Sequence, residues 1–242
     1  MILIGLCSFS PQVGKTTCAD YLKDNYNFIT LEMSQEITKF CKKFLGYNGD
    51  KLDPMQRKIL QDVGKLWKDH YPDIWLYHNL GSLFFDHSHW KYENSFKEYL
   101  EIKEIFKDGE KSFIKVFQEK KPSESMGLVI SGIRSPEEAN EIKRLGGRVF
   151  LVERNLEIEE KNIHAVENAL YGYQHFDGLL INNSTKENYY KKIEKVIFKK
   201  LLSAIHIREC PYSGIEMPSY ETMSEPAKKI IEKYNINFIS IN

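Results

Sequence analysis

The sequence predicts a parallel β-sheet covered by helices on both faces, and three observations carry that prediction. Short apolar runs alternate with helix-patterned stretches along most of the chain. The first run, residues 1–7, is apolar from end to end, and 42% of the 242 residues are hydrophobic. A strand buried on both faces needs unbroken apolar sequence, and strands alternating with helices form crossovers that sandwich the sheet. The length suits one large domain, or one domain with an insertion.

The elements follow in order. After the strand at 1–7 comes a loop at 8–13, then Gly14-Lys15-Thr16-Thr17, which opens a helix running to about residue 25. Residues 28–31 read as a second strand, and Ser34 as the cap of a helix reaching about residue 44. Asp53-Pro54 has the form of a helix start, because Asp accepts from free N–H groups and Pro at the first helical position sacrifices no internal bond. That helix passes through Leu60, Val63 and Trp67 and stops before Pro72. Residues 81–125, rich in aromatics and lysine, are expected to be helical and largely peripheral. A strand at 128–131 precedes Ser135-Pro136-Glu137-Glu138, a capping box, and Gly146-Gly147 ends the helix that follows. Residues 148–152 and 178–181 are further strands. An amphipathic helix runs from 186 to about 203, with Tyr190, Ile193, Ile197 and Leu201 on one stripe. The expected organisation is a core over 1–205, including a helical region at about 32–125, and an extension at 206–242 packed on its outside.

Lys and Arg number 34 against 34 Asp and Glu, a formal net charge of zero. That balance argues against nucleic-acid binding by phosphate neutralisation and against a polybasic membrane contact. Cys7, Cys18, Cys41 and Cys210 are scattered, without a C-x-x-C pair or a secretory leader, and read as reduced thiols of a cytoplasmic protein.

The strongest chemical signal is Phe9-Ser10-Pro11-Gln12-Val13-Gly14-Lys15-Thr16 between a buried strand and a helix. It matches the phosphate-binding pattern G-x-x-x-x-G-K-[ST] at every defined position except the first, where Phe9 replaces glycine. Backbone N–H groups of such a loop surround a polyphosphate, Lys15 reaches its outer phosphates and the Thr16 hydroxyl ligates Mg2+. A side chain at position 9 disfavours a positive φ at the loop entrance. Neither an N-K-x-D base motif nor a D-x-x-G switch is present. Arg134 and Arg154 instead follow two strands, at the sheet end where ligands bind, and an arginine fork suits phosphate oxygens. The alternative for each is solvation, or pairing with Glu138 or Glu153.

These segments, in this order, resemble the bacteriophage deoxynucleoside monophosphate kinases, P-loop kinases of the nucleoside monophosphate kinase fold to which phosphomevalonate kinase is also similar. The resemblance covers about residues 1–80 and 126–200. Beyond the P-loop it rests on Arg57-Lys58-Ile59-Leu60-Gln61-Asp62-Val63-Gly64 with Trp75 further on, and on Arg134 followed four residues later by Glu138. Gly146 through Arg154, His164-Ala165-Val166-Glu167, and Asp177 through Asn183 with Asn182 at a strand end complete it. It implies a P-loop three-layer sandwich with a helical substrate-binding and lid insertion. Val13, Gly14, Lys15, Thr16, Thr17 and Asn182 would hold ATP, and Thr16 would hold Mg2+. Lys15, Arg134 and Arg154 would form the catalytic set, while Arg57, Gln61, Glu138, His164 and Glu167 would lie by the monophosphate. A lid would include residues near 154–167, and Trp75 is read as core.

The family usually has an acidic residue two positions before the arginine, and here that place is Gly132. Asp20, Asp177 and Glu138 are the candidate replacements. The expected partners are small nucleotides, with no nucleic acid and no membrane, in the cytoplasm, the host's if the chain is viral. Assembly is open, a homodimer included. A kinase of the phosphomevalonate or dephospho-coenzyme A type, or a catalytically silent nucleotide-binding protein, are the rival readings.

Overall fold

The computed structural model describes residues 1–50, 53–85, 95–154, 167–170 and 172–199. Five strands, β1 (Ile2–Cys7), β2 (Phe28–Glu32), β3 (Gly127–Ile133), β4 (Arg148–Glu153) and β5 (Gly178–Ile181), form one sheet in the order β2-β3-β1-β4-β5. Every neighbouring pair is parallel. Connections from β1 lead to one side of the sheet and the connection from β3 to β4 crosses to the other. The order therefore reverses beside β1, and such a reversal opens a ligand crevice at the carboxyl ends of the strands.

Helices cover both faces: α1 (Lys15–Tyr26), α2 (Gln35–Phe44), α3 (Pro54–His70), α4 (Ile74–Phe85), α5 (Ser95–Ile105), α6 (Glu110–Lys120), α7 (Pro136–Arg144) and α8 (Lys186–Ile193). Alternation along the strands divides the core in two. Leu3, Leu128, Ile130, Val149 and Leu151 face one apolar cluster, shared with α4 to α7. Ile4, Leu6, Val129, Phe150 and Val152 face the other, shared with α1 and α8. The expected three-layer α/β sandwich with a parallel sheet is what the chain forms.

Several local expectations change. Among the described residues of 81–125, α5 and α6 are helical as expected, but they are not peripheral. Tyr99, Ile102, Phe106, Phe113, Val116 and Phe117 are buried, at the three- and four-residue spacings of an inner helix face. They pack on α4, which is buried from Ile74 through Gly81 and so acts as a central helix. Each such aromatic side chain contributes about 1.5–3 kcal/mol through burial. Ser34 does not cap α2; its hydroxyl donates to Glu32 Oε1 at 2.7 Å. Asp53 does cap α3, accepting from Met55 and Gln56 N–H. The last helix turns from α to π geometry at Glu194–Phe198, and its inner stripe is Tyr189, Ile193 and Ile197, with Tyr190 only half-buried. Within that π turn the buried Glu194 carboxylate accepts from Tyr21 Oη at 2.7 Å and from Tyr26 Oη, which locks α8 against α1. Burial, and then that carboxylate, push the Tyr26 hydroxyl well above its ordinary range. Leu201 and the 206–242 extension lie outside the described residues.

Candidate active site

The loop between β1 and α1 is fixed from outside by its neighbours. Asn182, just beyond β5, donates from Nδ2 to Val13 O at 2.9 Å, and Tyr189 of α8 donates from Oη to Gly14 O at 3.3 Å. Glu153, ending β4, accepts the Phe9 N–H at 3.1 Å. Gly14 adopts φ 109°, and a Cβ there would collide with Asn182 Nδ2. Any other residue would be strained by the backbone angle and would push the Asn182 amide off Val13 O. The loop's other positive φ belongs to Gln12, at 58°, while Phe9 keeps a negative φ. Phenylalanine at the loop entrance is therefore free of the strain its side chain suggested. Its ring lies edge-on to Phe176, with centroids 6.3 Å apart.

Gly14 brings no capping side chain to α1, whose first-turn N–H groups have no partner within the helix. The Lys15 ammonium folds over the loop, donating to Ser8 Oγ and, at 3.5 Å, to Ser10 O, while Ser8 Oγ donates to Ser10 O at 2.6 Å. Thr16 is exposed, Thr17 half-buried, and the Val13 side chain sits in the core. Beneath the loop, burial raises the Cys7 thiol to about 12 despite the nearby Lys15 charge, so it stays protonated.

Arg134 and Arg154 stand at the carboxyl ends of β3 and β4, the two strands that flank β1. Both are exposed, and among the described residues neither guanidinium enters an ion pair. The acids closest to them in sequence are engaged elsewhere: Glu153 on Phe9 N–H, Glu138 on Lys68 and the Arg134 main chain. Glu138 is 1% exposed; its Oε1 lies 2.5 Å from Lys68 Nζ and its Oε2 accepts the Arg134 N–H at 2.9 Å. The capping box is modified accordingly. Ser135 Oγ accepts from Glu138 N–H at 3.3 Å, but the glutamate reaches past Ser135 to the residue before it.

Arg57 and Gln61 lie half-buried on α3. His164 is outside the described residues, and Glu167 opens a short 3-10 turn, Glu167–Leu170. Trp75 is core, 3% exposed, with its indole N–H on Gly64 O at 3.1 Å. Among the described residues no cluster of three His, Cys, Asp or Glu side chains is arranged to hold a metal ion.

Gly132 has φ 83° and falls where the pairing of β1 with β3 slips, between Leu6↔Ser131 and Cys7↔Ile133. An L side chain is strained in that conformation, so an acid at this position would not fit the backbone as it stands. Of the three candidate replacements, Asp177 is at the opposite end of the sheet, accepting from Val149 N–H and pairing with Lys143 and Arg148. Asp20 is exposed on α1, and Glu138 is committed as described. The acids that the topology does bring to the crevice end are Glu32, registered opposite Ser131, and Glu153. Sequence reasoning missed both as site residues, along with Ser8, Lys68 and Tyr189. Lys68 had a usable signal: eleven residues after Arg57, it shares that residue's face of α3.

No protein-family model matches the chain. The chain is similar to a protein of Acanthamoeba polyphaga mimivirus named "Putative deoxynucleotide monophosphate kinase", with 28% identity over 209 residues, covering 80% of this chain and 94% of that protein. No helix among the described residues is long and apolar enough to cross a membrane.

Proposed function

We propose that the chain transfers the γ-phosphoryl group of ATP, taken as its Mg2+ complex, to a deoxynucleoside monophosphate. The observation that carries this reading is the loop after β1, with Lys15 over it, set between Arg134 and Arg154 on the two adjacent strands. The similarity to a viral protein of that name supports the choice of acceptor. The start of α1 suits a bound triphosphate, since Gly14 brings no capping side chain to its free N–H groups and the Lys15 ammonium lies over the loop. Thr16 would hold Mg2+ together with the phosphates, the sparse protein ligation this ion accepts. The ion supplies charge neutralisation between the β- and γ-phosphates when bound.

An ionised oxygen of the acceptor phosphate attacks the γ-phosphorus, the bond to the β–γ bridging oxygen breaks, and ADP departs with that electron pair. No strong base is needed, because the nucleophile is already an anion. Lys15 offsets charge on the donor, and the two arginines offset charge on the transferring and acceptor groups. Arg57 and Gln61 contact the monophosphate. A reducing compartment, the cytoplasm of the cell or of a viral host, suits the free, buried Cys7, Cys18 and Cys41.

The test is an ADP-release assay across the four common deoxynucleoside monophosphates, run on wild type and Lys15→Ala. Wild type should turn over at least one of them, and Lys15→Ala should lose roughly 100- to 1,000-fold in kcat. Transfer only to phosphomevalonate or dephospho-coenzyme A would redirect the acceptor. Tight ATP binding without any transfer would instead favour a silent nucleotide-binding protein, a reading to which Gly132 lends weight.

A further inference from the structure

The residues assigned above to the acceptor stand on two elements far apart in the chain, α3 and the turn after β3. Arg57, Gln61 and Lys68 fall within about 40° of one another around the α3 axis at 3.6 residues per turn. All three are half-buried. Lys68 ends that stripe against Glu138 Oε1, and the other oxygen of the same carboxylate holds the main-chain N–H of Arg134. One buried acid thus joins the face bearing Arg57 and Gln61 to the backbone of the arginine at the end of β3.

We infer that Lys68 and Glu138 are positioning residues for phosphoryl transfer, fixing the separation between the acceptor-binding face of α3 and the Arg134 guanidinium. The inference rests on the function proposed above. An exposed ion pair could not do this, since solvent screens it and its side chains wander. The Lys65–Asp69 pair on the same helix is of that kind, with both side chains more than half exposed. Lys68 and Glu138 are 18% and 1% exposed, so loss of one leaves the other buried without its counter-charge. The turn carrying Arg134 would then shift, and transfer between two bound phosphates is acutely sensitive to such shifts.

Steady-state kinetics of Lys68→Met, Glu138→Gln, Lys68→Arg and the control Lys65→Met test this, with thermal midpoints measured alongside. Lys68→Met should lower kcat by about 10- to 100-fold with the KM for ATP unchanged. Glu138→Gln, which keeps an acceptor for Arg134 N–H but loses the charge facing Lys68, should fall in the same direction by less. Lys68→Arg should recover most of the rate, and Lys65→Met should match wild type. A lowered thermal midpoint with kcat unchanged overturns the inference, as does a comparable rise in the ATP KM. Should Lys68→Met not fold, Glu138→Gln and Lys68→Arg decide by the same criteria. A wild-type chain that transfers to no deoxynucleoside monophosphate overturns the functional reading and this inference together. An active wild type with equally active Lys68→Met and Glu138→Gln overturns the inference alone.

Discussion

Around the loop after β1, neighbouring side chains hold main-chain groups: Glu153 takes the Phe9 N–H, Asn182 the Val13 carbonyl and Tyr189 the Gly14 carbonyl. Around the turn after β3, the arrangement depends on a side-chain pair, Lys68 with Glu138, before it reaches the Arg134 backbone. The two regions lie on adjacent strands and respond differently to sequence change. Backbone held from outside accepts any residue whose φ and volume are compatible, which is how Phe9 stands where glycine was expected. A buried ion pair accepts very few exchanges, because each partner's charge is tolerable only beside the other.

Three substitutions probe the contrast, in decreasing order of effect. Gly14→Ala attacks the first region where its backbone rule is strictest. The φ of 109° and the collision with Asn182 should together cost about 1–3 kcal/mol. ATP affinity measured by calorimetry should fall about 5- to 150-fold, the equivalent of that strain at about 1.4 kcal/mol per decade if it falls wholly on the loop. Gly132→Asp supplies the acid that the resemblance calls for. Its φ of 83° predicts a loss of about 1–2 kcal/mol in urea unfolding, and kcat should not rise. A several-fold gain in kcat would show that a carboxylate was wanted there. Phe9→Gly keeps the N–H bond to Glu153 and removes the side chain, which packs on Phe176 and on the larger apolar cluster. It should cost about 1 kcal/mol through that lost packing and leave the kinetic constants unchanged.

Much of this was legible in the chain, and the parts that were not share a cause. The sheet strands and the loop announce themselves through contiguous residues, as do the Asp53 cap and the ends of α7. The helical character of α5 and α6 was also visible, but not their depth. An apolar stripe tells which face of a helix is turned inward, yet not whether it meets the main core or a minor one, and here α4 carries the core out to it. The Glu194 carboxylate of the π turn meets tyrosines of α1, and the Lys68–Glu138 link joins elements with most of the helical region between them. The positive φ at Gly132 coincides with a slip in strand pairing that no local pattern records. Position 9 shows the reverse case: a departure from a motif that looked costly by rule costs nothing, because the loop does not use a positive φ there.

On the proposed function, the crevice between the ends of β1, β3 and β4 moves a phosphoryl group from ATP to a deoxynucleoside monophosphate. Anion-exchange chromatography of a reaction holding the wild-type chain, Mg2+, ATP and one deoxynucleoside monophosphate at a time measures both products directly. The expected result, for at least one acceptor, is ADP and the deoxynucleoside diphosphate in equal amounts. ADP formed without the diphosphate, or neither product with any acceptor, would contradict it.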